Sequence, residues 1–150
     1  EGPNWFGSGA WAWTALLMMS LWGVGPAVVI YLAGLRDVPK QLHEAASLDG
    51  VGSWGRFVHV TLPMISPVIL FNVVIGIINA AQVFVIPLVM TGGGPGRSTY
   101  FFAMYVYDQA FQYGDMGYAS VLGLVQFAAI LVLTGLVLLL GQRFVYYRGA

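Results

Sequence analysis

The stretch HEAASLDGVGSWGRFVHVTLP, residues 43–63, lies between two long apolar runs and holds charges, glycines and a proline where a plain turn would be shorter. Working outward from it, no Asp, Glu, Lys or Arg occurs over residues 2–35, 57–96 or 116–142. A charge at a bilayer centre costs about 2.5–3.5 kcal/mol on insertion scales, and a span needs about 20 apolar residues. Each uncharged stretch can hold one. The expected spans are about 10–35, 64–90 and 117–141, with a loop at 36–63 and a connection at 91–116 on the opposite face. The expected fold class is an all-α membrane protein.

Composition supports lipid as the solvent. Of 150 residues, 59% are hydrophobic and 8% charged, against about 25% charged in soluble domains. Three buried helices of a soluble bundle would leave too little polar surface to cover them. The formal net charge is zero, which gives no basic footprint for nucleic acid. With no cysteine, disulfide frameworks and thiolate metal sites are excluded. The chain opens on Glu1 without a basic start and short apolar core. It reads as the C-terminal part of a longer protein.

Basic residues set the expected orientation. Arg36, Lys40, Arg56, Arg143 and Arg148 flank the 36–63 loop or the tail, whereas Arg97 lies on the other side with Glu1, Asp108 and Asp115. The positive-inside rule places the 36–63 loop and the C-terminus in the cytoplasm and the 91–116 connection outside.

The spans carry more than anchoring. WGVGP at 22–26 should kink the first one, since proline removes a helical hydrogen bond. In the second, Pro63 and Pro67 mark its start, and Asn72, Gly76, Asn79 and Val83 share one helical face. In the third, Ala119, Gly123 and Gln126 form a similar stripe. Polar groups facing lipid would be unsatisfied, so both stripes should face other helices or a wet cavity. Ala119 and Gly123 read as packing residues. For Asn79, packing and solute contact both remain open.

Within the loop, Pro39 suits a first helical turn, PKQLHEAASL reads as a short helix, and Asp49–Gly50 supplies its stop. Leu42, Ala45 and Ala46 make a shallow apolar face bordered by Glu44. A helix this short is marginal alone in water, and it lacks the large apolar anchors of a headgroup helix. A protein groove suits it better.

The spacing Glu44-Ala45-Ala46, three residues, Gly50, nine residues, Val60, one residue, Leu62-Pro63 resembles the EAA loop of permeases of binding-protein-dependent ABC importers. Val60 stands where the family carries isoleucine or another aliphatic residue. Asp49, Phe57, Thr61 and Pro67 match the extended motif, and MTGGGPGRST at 90–99 and QAFQYGDMGYAS at 109–120 are similar to the carbohydrate-uptake branch, which includes maltose-type and glycerol-phosphate-type permeases.

The resemblance implies three spans of a larger, six-span subunit of a bacterial or archaeal cytoplasmic membrane. It further implies a cytoplasmic coupling helix, with Glu44, Ala45, Ala46, Asp49, Gly50, Leu62 and Pro63 coupling to an ATPase dimer. A second permease subunit and an extracytoplasmic solute-binding protein complete the assembly. Gly76, Asn79, Ala80 and Val83 match the region where maltose-type permeases hold sugar, and Met19 and Gly23 join them as path candidates. Two alanines follow Asn79 where such permeases can show further asparagines, so the partner permease is an alternative holder of the solute.

No G-x-x-x-x-G-K-[ST] occurs, so ATP and Mg are expected on the separate ATPase and no cofactor on this chain. TGGGPGR at 91–97 lacks the P-loop lysine and reads as a close-packed turn. The resemblance places Gly93, Gly94, Pro95 and Arg97 near the solute-binding protein. The aromatic-rich segment 99–112 is expected to be an interfacial helix on the outer face, with Asp108 toward water.

Other functions fare worse. His43 and His59 have no carboxylate arrangement or H-E-x-x-H spacing, which disfavours a membrane enzyme. A channel or proton-coupled carrier usually places ionisable groups inside the membrane, and the expected spans have none. An ABC permease for a non-sugar solute is the alternative closest to the main reading.

Overall fold

The computed structural model describes residues 4–143 and Val145, and among them it is helical without strands. Glu1, Arg148 and the C-terminus, which entered the orientation argument, lie outside the described residues. The helices are α1 (Gly9–Trp22), α2 (Gly25–Arg36), α3 (Lys40–Leu48), α4 (Ser53–Met64), α5 (Ser66–Ala81), α6 (Val85–Thr91), α7 (Phe102–Tyr107) and α8 (Met116–Gly141). A wide π turn, Phe57–Thr61, interrupts α4, and a second, Asp108–Gln112, extends α7.

Of these, α8 alone is long and apolar enough to cross a membrane; α1 with α2, and α4 with α5, meet the same test as pairs. The break between α1 and α2 falls at Gly23 and Val24, beside the expected Pro26 kink. The chain turns by 65° between α4 and α5. Pro63 explains the wide turn just before this bend. Its ring would strike the carbonyl four residues back and it has no N–H to offer that carbonyl, so the ladder opens there.

The second expected span, 64–90, is not one continuous helix. α5 stops at Ala81, residues 82–84 are irregular, and α6 restarts at Val85. Pro87 is the physical reason. In an unbroken helix it would orphan the Val83 carbonyl, but the restart puts Pro87 in a first turn, where no N–H is required.

The chain divides into two compact units, one comprising the residues up to Val24 with Ile77–Thr134, the other Gly25–Gly76 with Gly135 onward. In the first unit α1 packs against α6. Ala12, Ala15, Leu16, Pro87, Met104, Ala110 and Ala119 are its buried apolar residues. Trp13 and Phe101 meet edge to face at 5.6 Å between ring centres.

In the second unit small residues let helices approach closely. A Cβ on Gly34 of α2 would stand 2.8 Å from a Val68 methyl on α5, and one on Gly141 of α8 would stand 2.7 Å from a Leu70 methyl. Close backbone approach of this kind replaces the hydrophobic driving force that lipid does not supply.

Candidate functional site

The residues expected to couple to an ATPase all fall in the second unit. Pro39, in extended conformation, precedes α3 and accepts the Leu42 N–H at 3.2 Å. At the other end Gly50 adopts φ +75°. Its N–H bonds the Ser47 carbonyl at 3.1 Å, and the Val51 N–H bonds the Ala46 carbonyl at 3.0 Å. This is a Schellman closure, whose left-handed residue favours glycine because a Cβ there meets the backbone.

The face of α3 is open to the surroundings. Leu42, Glu44, Ala45 and Asp49 are exposed and Ala46 is half-buried. Leu48 is 90% exposed and Trp54, stacked on Phe57 at 5.6 Å, is 76% exposed. On α4, Leu62 is exposed and Pro63 half-buried. The structure thus presents a short, well-terminated helix whose shallow side is not covered by the described residues.

The candidate path residues are divided between the units: Gly76 belongs to the second, whereas Met19, Gly23, Asn79, Ala80 and Val83 belong to the first. Met19, Gly23, Asn79 and Ala80 are exposed and Val83 is half-buried. Asn72 donates to the Val68 carbonyl of its own helix at 2.9 Å, which commits its amide to the backbone.

The sequence reading missed what holds the helix break beyond Asn79. Stopping α5 at Ala81 leaves late carbonyls without helical donors. Gln126 of α8 fills one of these vacancies, its Nε2 donating to the Ala81 oxygen at 2.7 Å. Beside this bond lies a cleft of about 420 Å³ lined by Ile78, Gln82, Ala103, Gly123, Gln126, Phe127 and Ile130. Asn79, Ala80 and Val83 are not among its lining residues. Pro87 was the available signal for the break; nothing in the linear sequence links Gln126 to Ala81.

The glycine-rich turn is close-packed by hydrogen bonds. Thr99 is fully buried, with its hydroxyl donating to the Gly94 carbonyl at 2.8 Å and lying 2.6 Å from the Thr91 hydroxyl. Gly93, at φ +83°, is buried, and a Cβ on it would stand 2.8 Å from the Tyr100 ring. Gly94 and Pro95 are half-buried and Arg97 is exposed, so Arg97 is the member of this set displayed most fully.

The expected helix at 99–112 starts later, at Phe102, because Thr99 and Tyr100 belong to the turn. Asp108 is half-buried and accepts a hydrogen bond from the Tyr100 hydroxyl instead of simply facing water. Burial, then the hydrogen bond and charge of Asp108, push the Tyr100 phenol up to about 12.

Comparison with known proteins gives these features a context. A family model described as "Binding-protein-dependent transport system inner membrane component" matches residues 2–146. The sulfoquinovosyl glycerol transport system permease protein SmoG of Agrobacterium fabrum is 40% identical over 139 residues, covering 92% of this chain and 45% of the relative. The trehalose/maltose transport system permease protein MalF of Thermococcus litoralis is 34% identical over 140 residues, covering 93% and 47%. The lactose transport system permease protein LacF of Rhizobium radiobacter is 34% identical over 138 residues, covering 89% and 46%. The chain spans less than half the length of these relatives.

Proposed function

Since this chain belongs to the family of binding-protein-dependent transport system inner membrane components, we propose that it forms part of a permease subunit in an ATP-driven importer for a sugar, glycoside or polyol. The observation that carries the coupling role is α3. It is nine residues long, closed by a left-handed Gly50, and displays Leu42 and Ala45 outward. A helix this short has little stability of its own, and small side chains allow deep entry into a groove. A cytoplasmic ATPase dimer supplies that groove, with ATP and Mg held there, and Glu44 offers a polar latch to a basic group on it.

A second permease subunit closes the path, and an extracytoplasmic binding protein delivers the solute. The 36–63 loop and C-terminus face the cytoplasm, as the basic residues predict. Movement of the ATPase passes through α3 into α2 and α4, a two-state rearrangement that ATP and solute both bias. The carbohydrate class is supported by the names of the relatives, which specify sulfoquinovosyl glycerol, trehalose or maltose, and lactose.

The test is affinity purification of the intact protein in detergent, with identification of the co-eluting chains. An ATPase and a second permease are expected, and Ala45→Trp, a bulky change at an exposed position, should lose the ATPase while still inserting. An isolated oligomer, or unchanged ATPase recovery with Ala45→Trp, would overturn the reading.

A further inference from the structure

The first unit holds a second cleft, of about 410 Å³, lined by Arg97, Tyr100, Tyr105, Gln109, Tyr113 and Asp115. Its volume is within the range of small-ligand sites, roughly 300–1,000 Å³. All six lining residues carry polar groups, and three contribute tyrosine rings. Asp115 Oδ1 caps α8 by accepting the Tyr118 N–H at 3.0 Å, which fixes the carboxylate at the rim. The Gln109 carbonyl accepts the Asp115 N–H at 2.9 Å, tying both lining residues to one another through the backbone.

Several of the polar groups are uncommitted. The Gln109 amide, the Tyr113 hydroxyl and Asp115 Oδ2 have no hydrogen-bond partner among the described residues. The Arg97 guanidinium lies 5.3 Å from the centre of the Tyr100 ring. Arg97 also has φ +62°, a conformation unfavourable for an L-residue and one that a glycine would adopt freely. An arginine held there at a cost directs attention to its side chain.

We propose that this cleft is an outward-side subsite for a neutral polyhydroxylated solute, met before the solute enters the membrane path. The proposal rests on the importer reading and deepens it. Sugar hydroxyls both donate and accept, and the cleft offers both: donors on Arg97, Gln109 and Tyr113, acceptors on Gln109 and Asp115. The exposed ring of Tyr113 suits the apolar C–H side of a sugar ring. Arg97 and Asp115 bring one charge of each sign to the lining, which gives an anion no selective attraction. One uncommitted carboxylate is too little for a hard divalent cation, which takes six or more oxygens.

The test uses the intact importer in detergent without its binding protein. Saturation-transfer NMR is recorded with trehalose, maltose, lactose and glucose as probes, on wild type, Gln109→Leu and Tyr113→Ala. Neither side chain makes a hydrogen bond among the described residues, so folding is preserved, and co-elution with the ATPase verifies it. A sugar signal in wild type, weakened about tenfold in apparent affinity in both variants, supports the subsite. No wild-type signal with any probe, or equal signals in all three proteins, overturns it. A loss of binding-protein-stimulated ATP hydrolysis with sugar contact unchanged also overturns it, and assigns the cleft to protein docking. Failure of ATPase co-elution in wild type would instead refute the importer reading.

Discussion

Gln126 Nε2 donates to the Ala81 carbonyl at 2.7 Å, so a side chain of α8 closes the backbone vacancy where α5 stops. Gln126→Leu keeps similar bulk and removes the donor. The orphaned carbonyl then costs about 1 kcal/mol, within the range found for interhelical side-chain bonds in membranes. The thermal midpoint of the detergent-purified protein should fall, and Gln126→Asn, too short by one methylene, should fall with it. An unchanged midpoint for both would show that the break needs no such support.

Gly50 has a left-handed backbone with open space around its Cα, so only its φ resists substitution. Gly50→Ala should weaken the end of α3 by about 1 kcal/mol, or about fivefold in amide exchange at residues 49–51. Gly52 also has open space, but at φ −64°, so Gly52→Ala should leave exchange nearly unchanged.

Asn79 is exposed and its amide has no partner among the described residues. If it touches the solute, Asn79→Leu should change the half-saturating concentration or the maximal rate of uptake about two- to tenfold, the worth of one neutral hydrogen bond. Assembly with the ATPase should be retained. Uptake kinetics equal to wild type would assign Asn79 to helix packing.

Tyr100 ties the glycine-rich turn to Asp108, and its phenol is pushed up from 10.0 to about 12. A raised folded value means the unfolded chain loses this proton first. The stabilisation is complete below pH 10 and is lost as pH rises through 10 to 12. Tyrosine absorbance should therefore show a late-titrating component that shrinks in Tyr100→Phe, the remainder coming from Tyr118, which shares a hydrogen bond with Tyr105. A late component of equal size in the variant would assign it to another tyrosine.

Much of the candidate site was legible along the chain because it depends on local rules. Pro39 and Gly50 bracket α3 through backbone geometry, and both are visible at a glance. The close-packed turn was likewise readable from its glycines, although its use of Thr99 as a buried strut was not. Segment 99–112 was harder: its aromatics read as a membrane belt, whereas Tyr100 and Asp108 satisfy each other and neighbouring polar groups line a cleft. Which rings meet which polar groups is set by the turn, and composition does not specify it.

By itself the sequence determined the all-helical class, the uncharged stretches, and the start and stop of α3, since burial cost and backbone φ act residue by residue. The interruption at 82–84 was not foreseen, since 64–90 was expected as one span, although Pro87 was an available signal for it. Where the interruption would be tolerated was decided only in three dimensions. The free carbonyl of Ala81 needed a donor, and the one that reaches it, Gln126, lies 45 residues away on another helix. In lipid such a group has no water to turn to, so the break sits where a neighbouring helix can supply the missing hydrogen bond.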